Sequence, residues 1–106
     1  MQTYIALMTF TEKGAKELNK TTSRAEAFKR VAEDKGIHII HTFWVNGPFD
    51  VIHIFEVEDD QAAMAHSYSL AALGSFKTQT FRAYGKDEIT SIMEKVFTPY
   101  DLLNAD

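Results

Sequence analysis

Residues 37–57 read IHIIHTFWVNGPFDVIHIFEV, and this stretch decides the fold. It contains two strand-like runs, with Gly47-Pro48 between them. Because the side chains of a strand alternate between the two faces of its sheet, each run places apolar residues on both faces. In the first run, one face is predicted to carry Ile37, Ile39, Phe43 and Val45, and the other Ile40 and Trp44. Both faces of the predicted sheet therefore need a cover.

The rest of the chain predicts two more strands and three main helices. Residues 3–10 and 76–84 alternate like strands. One helix is predicted from a Ser23/Glu26 capping box to Gly36, and a second runs from Asp59-Asp60 to Gly74. A last helix follows Asp87 and carries an apolar stripe formed by Ile89, Ile92, Met93, Val96 and Phe97.

This order of elements predicts an α+β fold of the ferredoxin-like βαββαβ type. The sheet is expected to be four-stranded and antiparallel, with both main helices on one face, the first and third strands in the middle and an extra C-terminal helix. We expect one domain over residues 1–97 and a C-terminal tail over residues 98–106, in which Tyr100, Leu102 and Leu103 provide docking side chains.

One face of such a sheet has no helices. Ile52 and Ile54 point to one side of their strand, and Val51, Phe55 and Val57 to the other. An apolar face of this size exceeds what soluble monomers usually expose. We therefore expect a homodimer in which two open sheet faces pack together as a dimeric α/β barrel. The alternative is that the last helix covers the open face of its own chain.

Composition excludes several classes of protein. The 106 residues contain no cysteine, which leaves neither disulfides nor thiol catalysis and suits a cytoplasmic protein. A formal charge of −4 without a basic cluster argues against nucleic-acid binding. No apolar run approaches the roughly 20 residues of a membrane span, and the N-terminus lacks the features of a signal peptide. We expect neither nucleic-acid nor membrane partners.

Two histidines are the candidates for chemistry. His41 and His53 lie inside the two apolar runs, and a three-residue turn centred on Gly47 would place them opposite each other on one face. A change of one residue in the register would separate them. Such a pair in a cavity is suited to proton transfer. The alternative is that each is a hydrogen-bonded histidine of the sheet or of the dimer interface.

Five further residues are candidates for ligand binding, and three of them, Trp44, Asp50 and Arg82, have a structural alternative. Trp44 fits a pocket, an interface or the core, and Asp50 fits a turn. Tyr4 and Tyr68 offer hydroxyl groups to the cavity, whereas Arg82 either holds a carboxylate or protects a sheet edge. Neither metal-ligand spacing nor a phosphate-binding glycine loop is present, so no metal and no cofactor are expected.

Several short motifs together resemble the GYD domain family, over about residues 3–93. They are FTEKGAKEL at 10–18, Phe43-Trp44, Gly47-Pro48-Phe49-Asp50-Val51, Leu73-Gly74, Thr80 and Arg82-Ala83. Phe49 occupies the position of the tyrosine that gives the family its name, so the phenolic hydroxyl is absent here. The resemblance implies a dimeric α/β barrel. Related barrel families include cofactor-free monooxygenases, haem-binding enzymes, isomerases and ligand-sensing domains of transcription regulators.

Two functions of different classes follow. The first is a homodimeric accessory module that binds a small apolar or aromatic molecule between its sheet and its helices. The second is a cofactor-free enzyme, similar to a monooxygenase or an isomerase, with His41 or His53 as the proton acceptor. The sequence offers no paired carboxylates and no activated nucleophile, so the binding module is the leading hypothesis. Haem binding through a histidine is implied by kinship alone.

Overall fold

A computed structural model of the chain describes residues 1–105 and contains one sheet and five α-helices in that range. The elements are β1 (Gln2–Phe10), α1 (Glu12–Lys16), α2 (Thr21–Asp34), β2 (His38–Trp44), β3 (Val51–Val57), α3 (Asp60–Leu73), β4 (Phe76–Ala83), α4 (Lys86–Met93) and α5 (Pro99–Leu103). A short 3-10 helix, Leu18–Lys20, leads into α2.

The sheet has the strand order β2-β3-β1-β4, and every neighbouring pair is antiparallel. α2 packs on β2, and α3 packs on β3 and β4. The core lies between these helices and the sheet, and its largest fully buried side chains are Phe55, Met8, Leu70, His66 and Val57. The predicted ferredoxin-like α+β fold is confirmed, with β1 and β3 in the middle of the sheet.

The loop between β2 and β3 sets a register that differs from the expected one. Its residues are 46–49, because the backbone N–H of Val45 donates to the carbonyl oxygen of Asp50 at 2.9 Å. A four-residue loop instead of a three-residue turn shifts the pairing by one position. Thr42 therefore lies opposite His53, and His41 lies opposite Ile54.

A second irregularity occurs further along β2. The register shifts between Ile39 and His41, so Ile40 is the extra residue of a β-bulge. Ile39 consequently faces the helices, where it is buried, whereas Phe43 lies on the opposite face and is exposed. The expectation that Ile39 and Phe43 share a face is wrong, because strict alternation fails at a bulge.

The sheet face without helices is apolar at its centre. Two rows of side chains cross all four strands on this open face. One row is Phe81, Ile5, Ile54 and His41, and the next is Gln79, Leu7, Ile52 and Phe43. Phe43 is 49% and Phe81 is 50% exposed in the single chain. Polar residues lie at the two ends of the face: Thr3, Glu56 and His38 at one end, and Thr9 and Lys77 at the other.

The C-terminal helices do not cover this face. Within residues 1–105, neither α4 nor α5 packs extensively on another element. The radius of gyration is 17.8 Å, against about 13 Å expected for a compact chain of this length. Exposed apolar side chains continue along both helices and the segment between them: Ile89, Met93, Val96, Phe97, Tyr100, Leu102 and Leu103. The domain boundary at residue 97 stays a prediction, and Asp106 lies outside the described residues.

Two helix starts differ from the sequence expectation. α2 begins at Thr21, directly after the 3-10 turn, so Ser23 lies inside the helix and its hydroxyl donates to the carbonyl oxygen of Lys20 at 3.0 Å. α4 begins after Gly85, whose N–H donates to the carboxylate of Glu88. The predicted start and end of α3 are confirmed, since Asp59 caps it and Gly74 ends it with a φ of 76°.

Candidate functional site

A cleft opens between α2 and α3 above the sheet. The two helices contact the sheet but make no extensive contact with each other within residues 1–105. The space between them has a volume of about 700 Å³, within the range of roughly 300–1,000 Å³ that is typical of small-molecule sites. The main apolar wall residues are Met8, Phe28, Val31, Val51, Leu70 and Phe76. The geometry therefore provides an apolar cavity on the helical side of the sheet.

The polar residues of the cleft fall into two groups. Uncharged polar side chains line it at Thr42 and His53 of the sheet, at Ser69 of α3 and at Ser75, which lies between α3 and β4. Charged side chains line it at Lys13, Glu17, Arg24 and Lys35, all of which are at least partly exposed. Arg24 forms an ion pair with Glu17, and Lys13 donates to the carbonyl oxygen of Leu73 at 2.8 Å.

Local contacts hold the walls in place. The Thr11 hydroxyl donates to the carbonyl oxygen of Gly74 at 2.6 Å, which ties the end of β1 to the end of α3. α1 lies close to Ser75, because a Cβ atom at Gly14 would overlap the Ser75 carbonyl oxygen. On the opposite side, Trp44 Nε1 donates to the Thr21 hydroxyl at 3.0 Å and joins β2 to the start of α2.

Two buried histidines meet beside the cleft. His53 on β3 is 4% exposed and His66 on α3 is fully buried, and 3.0 Å separates His53 Nδ1 from His66 Nε2. His66 stacks on Phe55 with ring centroids 4.0 Å apart, and Phe28 meets it edge-on. The remaining ring nitrogen of His66, Nδ1, is buried without a hydrogen-bond partner among residues 1–105.

Burial keeps both imidazoles neutral. Desolvation lowers the pKa of His53 from 6.5 to about 4. Desolvation also lowers the pKa of His66 to about 3, and the neighbouring His53 lowers it further. A neutral imidazole has one N–H donor and one acceptor nitrogen, so this pair is arranged for directional hydrogen bonding.

The structure brings two of the sequence-predicted site residues to the cleft and leaves five outside it. His53 and Trp44 line the cleft. His41 lies on the open face, where its ring stacks on Phe43 at a centroid distance of 5.4 Å. The expected meeting of His41 and His53 is wrong, because the register of the hairpin places them on opposite faces of the sheet.

The tyrosines and Arg82 lie elsewhere. Tyr4 is on the helical face of β1, stacks on Phe55 and donates its hydroxyl to Gln2 at 3.1 Å. Tyr68 is 64% exposed on α3. Arg82 pairs with Glu88 at 2.6 Å and lies 4.4 Å from the ring centroid of Tyr84. Arg82 therefore fixes the start of α4 in this structure.

Asp50 has the geometry of a structural residue. Its Oδ2 accepts the backbone N–H of Phe10 at 2.9 Å, and its own N–H donates to the carbonyl oxygen of Met8 at 2.9 Å. Asp50 thus satisfies the backbone of β1 where this strand leaves the sheet. A carboxylate that accepts a backbone N–H suits the role of fixing the hairpin.

Removal of this carboxylate is expected to weaken the fold. We expect Asp50→Ala to lower the free energy of unfolding by about 1–3 kcal/mol, because the Phe10 N–H loses its charged acceptor. Asp50→Asn keeps a side-chain oxygen and is expected to recover part of the loss. Urea unfolding followed by circular dichroism measures both changes. Equal stability of wild type and Asp50→Ala would contradict this role.

The sequence did not indicate that His66 and Phe28 belong to the candidate site. His66 shares the buried side of α3 with Ala63 and Leu70, at the spacing i, i+3 and i+7. That spacing was the available signal. It is weak because alanine and serine occupy much of α3, which leaves little contrast between its faces.

Other kinds of site are not found in the described part of the chain. No group of three or more histidine, cysteine, aspartate and glutamate side chains is arranged to hold a metal ion within residues 1–105. Over the same residues, no helix has both the length and the apolar character needed to cross a membrane.

Comparison with known proteins places these features in a family. The sequence model of the GYD domain matches residues 4–93. A protein from Thermus thermophilus, named glutamine synthetase and cystathionine beta-lyase binding protein, is 34% identical over 84 residues, which cover 78% of this chain and 88% of the relative. No solved structure matches with significance. The chain belongs to the GYD domain family.

Proposed function

We propose that this protein is a homodimeric accessory module that holds a small apolar molecule in its cleft and binds a metabolic enzyme. The observation that carries the proposal is the bare apolar face of the sheet. Both main helices lie on the other face, and neither α4 nor α5 packs extensively on the sheet within residues 1–105. Two copies that pack through this face bury its two apolar rows without any rearrangement of the chain.

The shape of the open face supports self-association. Its apolar centre and polar ends match the apolar core and polar rim of protein interfaces. A two-fold axis through the middle of the face would bring the apolar centre of one copy onto the apolar centre of the second copy. His41 then lies at the margin of the interface rather than in the cleft.

The cleft supports ligand binding on the other side of the sheet. Its walls are mainly apolar, and a few polar side chains, including His53, provide orientation. Trp44 lies at its edge and is 44% exposed, so an aromatic surface is available to a bound molecule. Because dimer face and cleft are on opposite faces, both are usable at the same time.

The relative supports the accessory role. The Thermus thermophilus protein is named for binding glutamine synthetase and cystathionine beta-lyase. The matched region spans most of both chains, and we extend the enzyme-binding role to this chain on that basis. A partner of this kind also fits a cytoplasmic location, which we include in the proposal.

Catalysis is the weaker candidate. A general base acts best when its pKa is near the working pH. Burial places the pKa of His53 at about 4, so His53 accepts a proton poorly at neutral pH. His41, the other sequence-predicted proton acceptor, is not among the residues that line the cleft.

Enzyme binding is tested by mixing the protein with purified glutamine synthetase from its own organism. Sedimentation velocity follows a fluorescent label on this protein, and we expect a complex with micromolar affinity or better. A matched experiment uses an unrelated protein of similar size and charge. If the labelled protein still sediments alone at enzyme concentrations well above the micromolar range, the proposed partner class is wrong.

A further inference from the structure

The two buried histidines have a hydrogen-bonding pattern that determines what the proposed ligand cleft offers a bound molecule, and the site described below rests on that proposed function. His66 has one nitrogen paired with His53 and one, Nδ1, without any partner among residues 1–105. In protein backbones, buried N–H groups without an acceptor are rarer than buried acceptors without a donor, and we apply the same preference to the imidazole ring. The His66 proton is therefore on Nε2, which donates to His53 Nδ1.

This assignment fixes the state of His53. A neutral imidazole carries a single proton, and His53 Nδ1 is the acceptor, so the proton of His53 is on Nε2. Nε2 makes no hydrogen bond within residues 1–105, and His53 lines the cleft. The cleft thus contains an N–H donor at an apolar wall that includes Phe28 and Val51.

We propose that the cleft binds an uncharged aromatic carbonyl compound whose oxygen accepts the Nε2–H hydrogen bond of His53. The donor needs an acceptor, because an unpaired polar group in apolar surroundings costs free energy. The carbonyl oxygen provides the acceptor, and the aromatic ring fills the space beside Phe28 and Trp44.

The charges of the cleft favour an uncharged ligand. Arg24 is already paired with Glu17, Lys13 donates to the carbonyl oxygen of Leu73, and Lys35 is exposed at the end of α2. The wall residues Phe28 and Val51 are apolar, and burial of a carboxylate beside them costs free energy unless a cation pairs with it. The test must therefore distinguish the binding of a ketone from the binding of a carboxylate.

The experiment titrates the full chain with three probes of one size, which are acetophenone, ethylbenzene and benzoate, and follows backbone amide signals by NMR. Ethylbenzene lacks the oxygen, and benzoate adds a charge. We compare the wild type with His53→Leu and with the control Val31→Ala, which alters a 61% exposed wall residue and leaves the donor in place.

The expected result is a change in the ratio of two dissociation constants. In His53→Leu, acetophenone weakens relative to ethylbenzene by about tenfold, because one hydrogen bond is lost. In Val31→Ala, both probes change together and the ratio stays at the wild-type value. Benzoate is expected to bind the wild type more weakly than acetophenone. An unchanged ratio in His53→Leu, or tighter binding of benzoate, overturns the inference.

A second measurement does not depend on any variant folding. Long-range proton–nitrogen NMR of the wild type identifies which ring nitrogen of each histidine carries the proton. We expect the Nε2–H form for His53 and His66, and a shift of His53 Nε2 with acetophenone but not with ethylbenzene. A proton on His53 Nδ1 would overturn the inference. Failure of the wild type to bind any of the three probes would instead contradict the proposed ligand cleft.

Discussion

Ile54→Asp is expected to convert the proposed dimer into a folded monomer. Ile54 lies at the centre of the open face, between Ile5 on β1 and His41 on β2. A two-fold interface contains this side chain twice. Loss of two buried isoleucines alone costs roughly 4 kcal/mol, or about a thousandfold in the dissociation constant. The introduced carboxylates increase this loss, because dimerisation would remove them from water.

The monomer is expected to stay folded because Ile54 points away from the core. Its neighbours along β3, His53 and Phe55, are the residues that face the helices. Met64→Asp is the matched control, since Met64 is also apolar and 55% exposed but lies on α3. Sedimentation velocity and circular dichroism report mass and folding together. A dimeric Ile54→Asp variant, or a monomeric Met64→Asp variant, would show that another surface forms the interface.

Acidification is expected to destabilise the fold through the buried histidine pair. The folded-state pKa values are about 4 for His53 and about 3 for His66, both below the ordinary value of 6.5. The unfolded chain therefore binds more protons than the folded chain between these values, and stability rises with pH in this window. The stability that comes from keeping the pair neutral is fully present above pH 6.5, and it is lost as the pH falls toward 4 for His53 and toward 3 for His66. At roughly 1.4 kcal/mol for each pKa unit, protonation of the pair lowers the free energy of unfolding by several kcal/mol.

The experiment measures the free energy of unfolding from pH 4.5 to pH 7.5 at one protein concentration. Glu88, whose pKa is lowered from 4.5 by its hydrogen bond with Arg82, acts in the same direction at the acidic end of this range. The double variant His53→Leu/His66→Leu is expected to remove most of the slope. His41→Gln is the control for an exposed histidine and is expected to keep it. A wild type whose stability does not change between pH 7 and pH 4.5 would contradict this account of the pair.

The layered fold was predictable because it depends on features that tolerate small errors. Apolar residues on both faces of β1 and β3 indicate central strands, and alternation with polar residues in β4 indicates an edge strand. The Gly74 end of α3 was also predictable, because a glycine with positive φ is the usual end of a helix. None of these inferences requires a register that is correct to one residue.

The candidate site depends on register, and the sequence leaves register open. Whether His53 faces His41 or Thr42 follows from the length of one loop around Gly47. The bulge at Ile40 has no signature of its own, since neither glycine nor proline marks it. The meeting of His53 with His66 joins β3 to a helix whose buried side is weakly marked. Local sequence patterns therefore predicted the layers, and backbone geometry decided the site.

The open sheet face is tested most directly by the mass of the wild-type protein in dilute solution. Sedimentation equilibrium at low micromolar concentration is expected to give twice the chain mass of 12.0 kDa. The fitted mass should decrease toward that of one chain only on much greater dilution. A single copy of 12.0 kDa at every concentration, without aggregation, would contradict the claim that a second copy covers this face.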